Sequence, residues 1–142
     1  MFDDVLVPTD GSECAELAAE YARDLATRYG ATIHALCVAD SRTLENASHL
    51  ERVKEERTEL AERTCSDFSA AGIPVEQAVR TDVPHRAILK YATDREIDLI
   101  VMGTHGRTGV ERYLLGSVTE KVIRLSDAPV LTVKAMGEDA VT

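Results

Sequence analysis

Gly103, Gly106, Gly116 and Ser117 are the residues of this chain whose types and spacing best suit chemistry; in the stretch MGTHGRTGVERYLLGSV, Met102 to Val118, they form the pattern GxxGx9GS. Glycine lets backbone N–H groups come close to an anion and adopts positive φ without a Cβ penalty. Ser117 stands at a helix start, and its spacing to Glu120 (SVTE) fits a capping box. A helix N-terminus carries orphan N–H donors and a partial positive charge, so the segment reads as a phosphate cradle. The same residues would also serve a plain turn and a helix cap, and both readings stand at this point. Two other phosphate patterns are excluded. A Walker A loop needs GK[ST] where this chain has Gly116, Ser117 and Val118, and the dinucleotide fingerprint needs two glycines two apart, which the loop lacks. Within the loop, His105 and Arg107 are placed either to approach a phosphate or to sit in solvent.

The elements that must position this loop alternate along the chain. An apolar strand from near Phe2 to Pro8 gives way to Thr9, Asp10, Gly11 and Ser12, a turn and a helix cap. From Glu13 to Tyr29 the residues Leu17, Ala18, Tyr21, Ala22, Leu25, Ala26 and Tyr29 recur at helical spacing, and Gly30 ends the helix. Thr32 to Val38 reads as a buried strand. A long charged helix follows, from about Leu44 to Ala71, with Leu50, Val53, Leu60 and Phe68 inward. Pro74 to Arg80 alternates like an edge strand. Pro84 starts a helix to about Arg95, and Asp98 to Met102 is a continuous apolar run, as in a central parallel strand. Ser117 to Ser126 is a helix and Ala128 to Lys134 a last strand. Alternating strands and helices predict right-handed βαβ units: an α/β fold with an open parallel sheet and helices on both faces. Ligands of such sheets bind at the strands' carboxyl ends, where the strand order reverses, and the motifs fall there.

Composition sets bounds. The chain has 142 residues, ordinary for one domain, and 44% hydrophobic content supports a folded core. No apolar run approaches a membrane span of about 20 residues, and the start, MFDDVLVPTD, does not look like a signal peptide, so a cytoplasmic protein is expected. Cys14, Cys37 and Cys65 suggest neither a disulfide framework nor a metal knuckle. His34, His49 and His85 are scattered and form no metal cluster by spacing. A net charge of −9 argues against nucleic acid and against anionic membranes as partners. With lysine only at Lys54, Lys90, Lys121 and Lys134, the acidic composition also points to a salt-loving source.

With VPTDGS ending the first strand, IVMGTHG ending the fourth, and GRTGVERYLLGSVTEKVIRLSDAPVLTVK closing the chain, the sequence resembles the universal stress protein family over nearly its whole length, and GxxGx9GS marks the family's ATP-binding branch. The resemblance implies a three-layer, five-stranded parallel sheet in order 3-2-1-4-5, of the adenine nucleotide alpha hydrolase-like type; it covers the one domain, 1–142, that the length suggests, whose end, 136–142, reads as a frayed tail. It implies a homodimer formed through the last strand, Ala128 to Lys134, and ATP or another adenine nucleotide with Mg2+ or Mn2+. Carried over by position, Pro8, Thr9, Asp10 and Val38 would line the adenine and ribose pocket, and Met102 and Gly103 would continue that wall. Gly106, Arg107, Gly116, Ser117 and Val118 would hold the phosphates. The chain departs from many members at Asp82, which stands where a glycine often precedes the proline of the third helix.

The leading expectation is thus a nucleotide-dependent regulatory dimer of the stress-response type, acting on an unknown protein partner. It is not expected to be an enzyme beyond slow ATP hydrolysis, since no base, arginine finger or nucleophile is placed by motif. Two rivals remain: a dimer of the same fold that binds no nucleotide, and a phospho-accepting receiver-like domain using Asp10, Asp82, Thr104 and Lys134.

Overall fold

The computed structural model describes residues 1–105 and 115–135. Its elements are β1 (Asp4–Pro8), α1 (Glu13–Tyr29), β2 (Thr32–Asp40), a 3₁₀ turn (Ser41–Thr43), α2 (Ala47–Ala70), β3 (Val75–Asp82), α3 (Pro84–Asp94), β4 (Leu99–Gly103), α4 (Ser117–Leu125) and β5 (Val130–Val133). The five strands form one parallel sheet in the order β3-β2-β1-β4-β5, as expected.

Period-two alternation along the strands feeds two cores. Val5, Val7, Ile33, Leu99 and Val101 pack against the α1 alanines Ala18, Ala22 and Ala26 and against Phe68 of α2. Leu6, Leu36, Ile100 and Met102 face the other way, onto Ile88, Tyr91 and Ala92 of α3 and Val122 of α4. Helices α1 and α2 therefore cover one face and α3 and α4 the other. The chain leaves β1 toward β2 on one side and finds β4 on the other, so the order reverses between β1 and β4.

Some boundaries shift for local reasons. The stripe on α1 is narrower than the apolar periodicity, because Cys14, Ala15, Ala18, Ala22 and Ala26 are buried while Tyr21 and Tyr29 stay exposed. Small residues bring α1 close to the sheet, and Tyr29 instead packs edge-on against Phe2, ring centroids 5.2 Å apart. Helix α2 starts three residues later than its apolar pattern, at Ala47, because Asn46 caps it by accepting from His49 N–H and the 3₁₀ turn takes up the preceding residues. Only Leu60, Ala61 and Phe68 of α2 are buried, while Leu50 and Val53 are half-buried.

Candidate functional site

The end of β1 is built as a hydrogen-bonded turn. Pro8 is buried, and Thr9 N–H continues the pairing to Leu36 C=O at 2.9 Å. The Thr9 hydroxyl then accepts from Gly11 N–H at 3.2 Å, and Asp10 Oδ1 accepts from Ser12 N–H at 3.0 Å. Gly11 takes φ +79°, and Ser12 caps α1 by accepting from Ala15 N–H. Thr9 and Asp10 are left half-buried on the rim. Beside them stands half-buried Val38, two residues past the Pro8–Leu36 register pair. Beyond Val38, Asp40 is clamped by Arg42, Nη2 to Oδ2 2.8 Å, and hydrogen bonds from Arg42 hold its carboxyl below the usual range.

On the other side of the switch point, α4 is tied to the end of β4. Gly103 C=O accepts from the Thr119 hydroxyl at 2.8 Å, Thr104 C=O accepts from Gly116 N–H at 2.7 Å, and Thr104 N–H donates to Val133 C=O at 2.9 Å. Gly103 is required by packing: a Cβ there would lie 2.5 Å from Cys14 Cβ and 2.9 Å from Cys14 carbonyl carbon, so its absence lets the first turn of α1 sit against β4. Met102 is buried in the core beneath, and half-buried Val118 packs on that core. His105 Nδ1 lies 3.1 Å from the Thr104 hydroxyl, while its Nε2 is buried with no partner among the described residues.

Two expectations about this loop are corrected. Ser117 is not the cap of α4: Gly116, which has no side chain to cap with, is the N-cap and Ser117 is the first helical residue, so the Ser117–Glu120 capping box does not form. Nor does Gly116 need a glycine's positive φ, for it takes φ −64° and ψ 156°, open to any residue. Gly106, Arg107 and the tail 136–142 lie outside the described residues. Of the expected site residues, Pro8, Thr9, Asp10 and Val38 thus gather on one bank of the switch point, and Met102, Gly103, His105, Gly116, Ser117 and Val118 on the other. The receiver-like set does not assemble, since Asp82 ends the outer strand β3 with β2 and β1 between it and Thr104, and its Oδ1 accepts from Val83 N–H.

Sequence reasoning passed over two arrangements. His34 is a buried hub at the opposite end of the sheet: Nδ1 lies 2.7 Å from the Tyr91 hydroxyl and Nε2 2.9 Å from Asp4 Oδ1, with Glu76 3.8 Å away and itself paired to Arg95. Arg57 sits on the apolar stripe of α2, four residues after Val53 and three before Leu60, with its Nε buried and unpartnered. An arginine on an otherwise apolar stripe was the available signal.

The fold is matched in known proteins. The model of the universal stress protein family fits residues 1–134. This chain belongs to the universal stress protein family. It is 36% identical over 141 residues to Universal stress protein MJ0531 of Methanocaldococcus jannaschii, covering 94% of this chain and 83% of that protein. It is 33% identical to Universal stress protein MJ0577 of the same organism, covering 94% of this chain and 96% of that protein. Among solved structures of the family, that of MJ0577 superposes with a TM-score of 0.85 at 35% identity, covering 97% of this chain and 99% of that one. A universal stress protein solved in complex with cAMP superposes at 0.68, with 25% identity and coverage of 94% and 97%. Among the described residues, no helix of this family member is long and apolar enough to cross a membrane.

Proposed function

We propose that this universal stress protein is an ATP-binding regulatory dimer of the cytoplasm, whose nucleotide occupancy biases its choice of protein partner. The observation that carries the reading is the N-terminus of α4, whose N-cap Gly116 offers no side-chain cap and which is fixed to the end of β4 by hydrogen bonds at the point of strand-order reversal. Its first N–H groups have no side-chain cap and point where a phosphate would be stabilised by donors and dipole together. The bank of Thr9, Asp10 and Val38 is the matching place for base and sugar. The relative solved with cAMP supports an adenine nucleotide as the ligand class.

Among the described residues no three His, Cys, Asp or Glu side chains are grouped to hold a metal ion. This fits a Mg2+ or Mn2+ carried on the triphosphate, which needs only one or two protein oxygens; Asp10 and Ser117 are the candidates. The dimer would form along β5, the edge strand of the sheet among the described residues, through its outer backbone groups and half-buried Val130, Leu131 and Thr132. Turnover of bound ATP would be slow at most, since the described residues place no general base with a defined role over the cradle.

Calorimetric titration of ATP with Mg2+ into protein freed of co-purified nucleotide by unfolding and refolding tests the reading. Micromolar or tighter binding is expected. Absence of heat at several temperatures, with the fold intact, would make the chain a nucleotide-free module.

A further inference from the structure

The helix α2 runs antiparallel to the strands it connects, so its N-terminal half stands over the carboxyl edge of the sheet. Leu60 marks the level of that edge: both its Cδ atoms are 3.6 Å from the position a Gly11 Cβ would take. Arg57 lies nearly one turn nearer the helix N-terminus on the same face, and helical side chains lean that way. Its side chain therefore extends past Leu60 along the carboxyl edge of the sheet, on which the turn Thr9 to Ser12 lies. The electrostatics agree on the neighbourhood, since Arg57 is the charge felt most strongly by Cys37 of β2, which also feels Asp10.

Arg57 is half-buried, yet among the described residues its guanidinium makes no hydrogen bond and no ion pair, and Nε is buried without a partner. The chain holds 25 acidic residues against 16 Lys and Arg. In so acidic a protein, a part-buried arginine that no carboxylate has claimed is kept for an acceptor from outside. The guanidinium fork is suited to phosphate oxygens. We propose that Arg57 is a phosphate-contacting residue of the nucleotide site, reaching from α2 across the β1 turn to oppose the α4 N-terminus. This rests on the nucleotide reading above, and it adds a residue from the opposite helical layer, so that the bound nucleotide is held between the two layers of helices.

Titration of wild type, Arg57→Met and Arg57→Lys with ATP, AMP and adenosine tests it. Methionine keeps the apolar stem, and thermal melting reports whether the variant is folded. The expected result is a loss of about ten- to a hundredfold in affinity for ATP or AMP with Met, partial recovery with Lys, and no change for adenosine. Loss with ATP but not AMP assigns the contact to the outer phosphates, and equal loss with both assigns it to the α-phosphate. Unchanged ATP affinity in a folded Arg57→Met, or an equal loss for adenosine, overturns the proposal while leaving the nucleotide reading in place. Failure of the wild type to bind any of the three overturns both.

Discussion

At the amino ends of the strands, His34 is 1% exposed and both its ring nitrogens are partnered, by the Tyr91 hydroxyl and Asp4, while one Asp98 oxygen accepts the N–H groups of Asp3 and Asp4 at 2.8 Å each. At the carboxyl ends, Arg57 Nε and His105 Nε2 are buried with no partner among the described residues, and α4 begins at Gly116 with no side-chain cap from it. One sheet thus carries a closed polar network at one end and open polar groups at the other. Buried groups left unsatisfied cost stability, typically about 1–3 kcal/mol each. A protein that satisfies His34 from three elements and leaves Arg57 unmet has placed its strain where a ligand would relieve it.

The contrast is sharpest in a variant that opens the closed end. His34→Leu leaves the Tyr91 hydroxyl without its imidazole and removes the link from β2 to α3 and β1. A loss of about 2–3 kcal/mol in urea unfolding is expected. Affinity for ATP should not change, because the hub lies at the far end of the strands from the cradle. A weakened affinity in a stable His34→Leu protein would break the division between the two ends.

How far the sequence reveals this division depends on the kind of signal. Strand order, parallel pairing and the helix layers were legible, because alternation of apolar runs with capped helices leaves few topologies and the family resemblance selects one. The rim residues Thr9 and Asp10 were legible for the same reason, as the end of β1, whereas the strand expected to end at Val38 runs two residues further, to Asp40. The hub was not, since His34, Asp4, Glu76 and Tyr91 lie far apart in sequence and meet only through the β1–β2–β3 register. The capping box failed because its spacing is met by Ser117 and Glu120 while the chain enters α4 one residue earlier, at Gly116. Gly103 was read as part of a ligand wall; its packing demand comes from Cys14, a residue 89 positions away whose approach no local pattern announces.

A second test concerns what lies beneath the open end. Cys37 is fully buried under Leu60 and Ala61, and burial pushes its thiol up to about 12. The unfolded thiol ionises near 9.0, so above that pH the unfolded chain gains from losing a proton that the folded chain keeps. The stability tied to Cys37 is whole below pH 9 and is lost progressively from pH 9 toward pH 12. By pH 10 the wild type should lose about 1 kcal/mol more than Cys37→Ala, measured as the difference between their urea unfolding curves. Parallel pH profiles would mean that solvent reaches the layer below the site, and the open groups above it would then be only ordinary surface.

The smallest expected change in stability belongs to Ser117, and it inverts the behaviour of His34. As the first residue of α4, with no capping bond from its side chain and an exposed position, Ser117 contributes little to folding. Ser117→Ala should shift stability by no more than about 0.5 kcal/mol. If its hydroxyl completes the phosphate cradle, losing one hydrogen bond to a charged phosphate oxygen, about 1.5 kcal/mol, weakens ATP about tenfold. Stability lost without affinity at His34, and affinity lost without stability at Ser117, would establish that the two ends of the sheet are energetically separate. A loss above 1 kcal/mol in the Ser117→Ala melt would instead restore Ser117 as a cap of α4 and move the anion donors back toward the loop that precedes it.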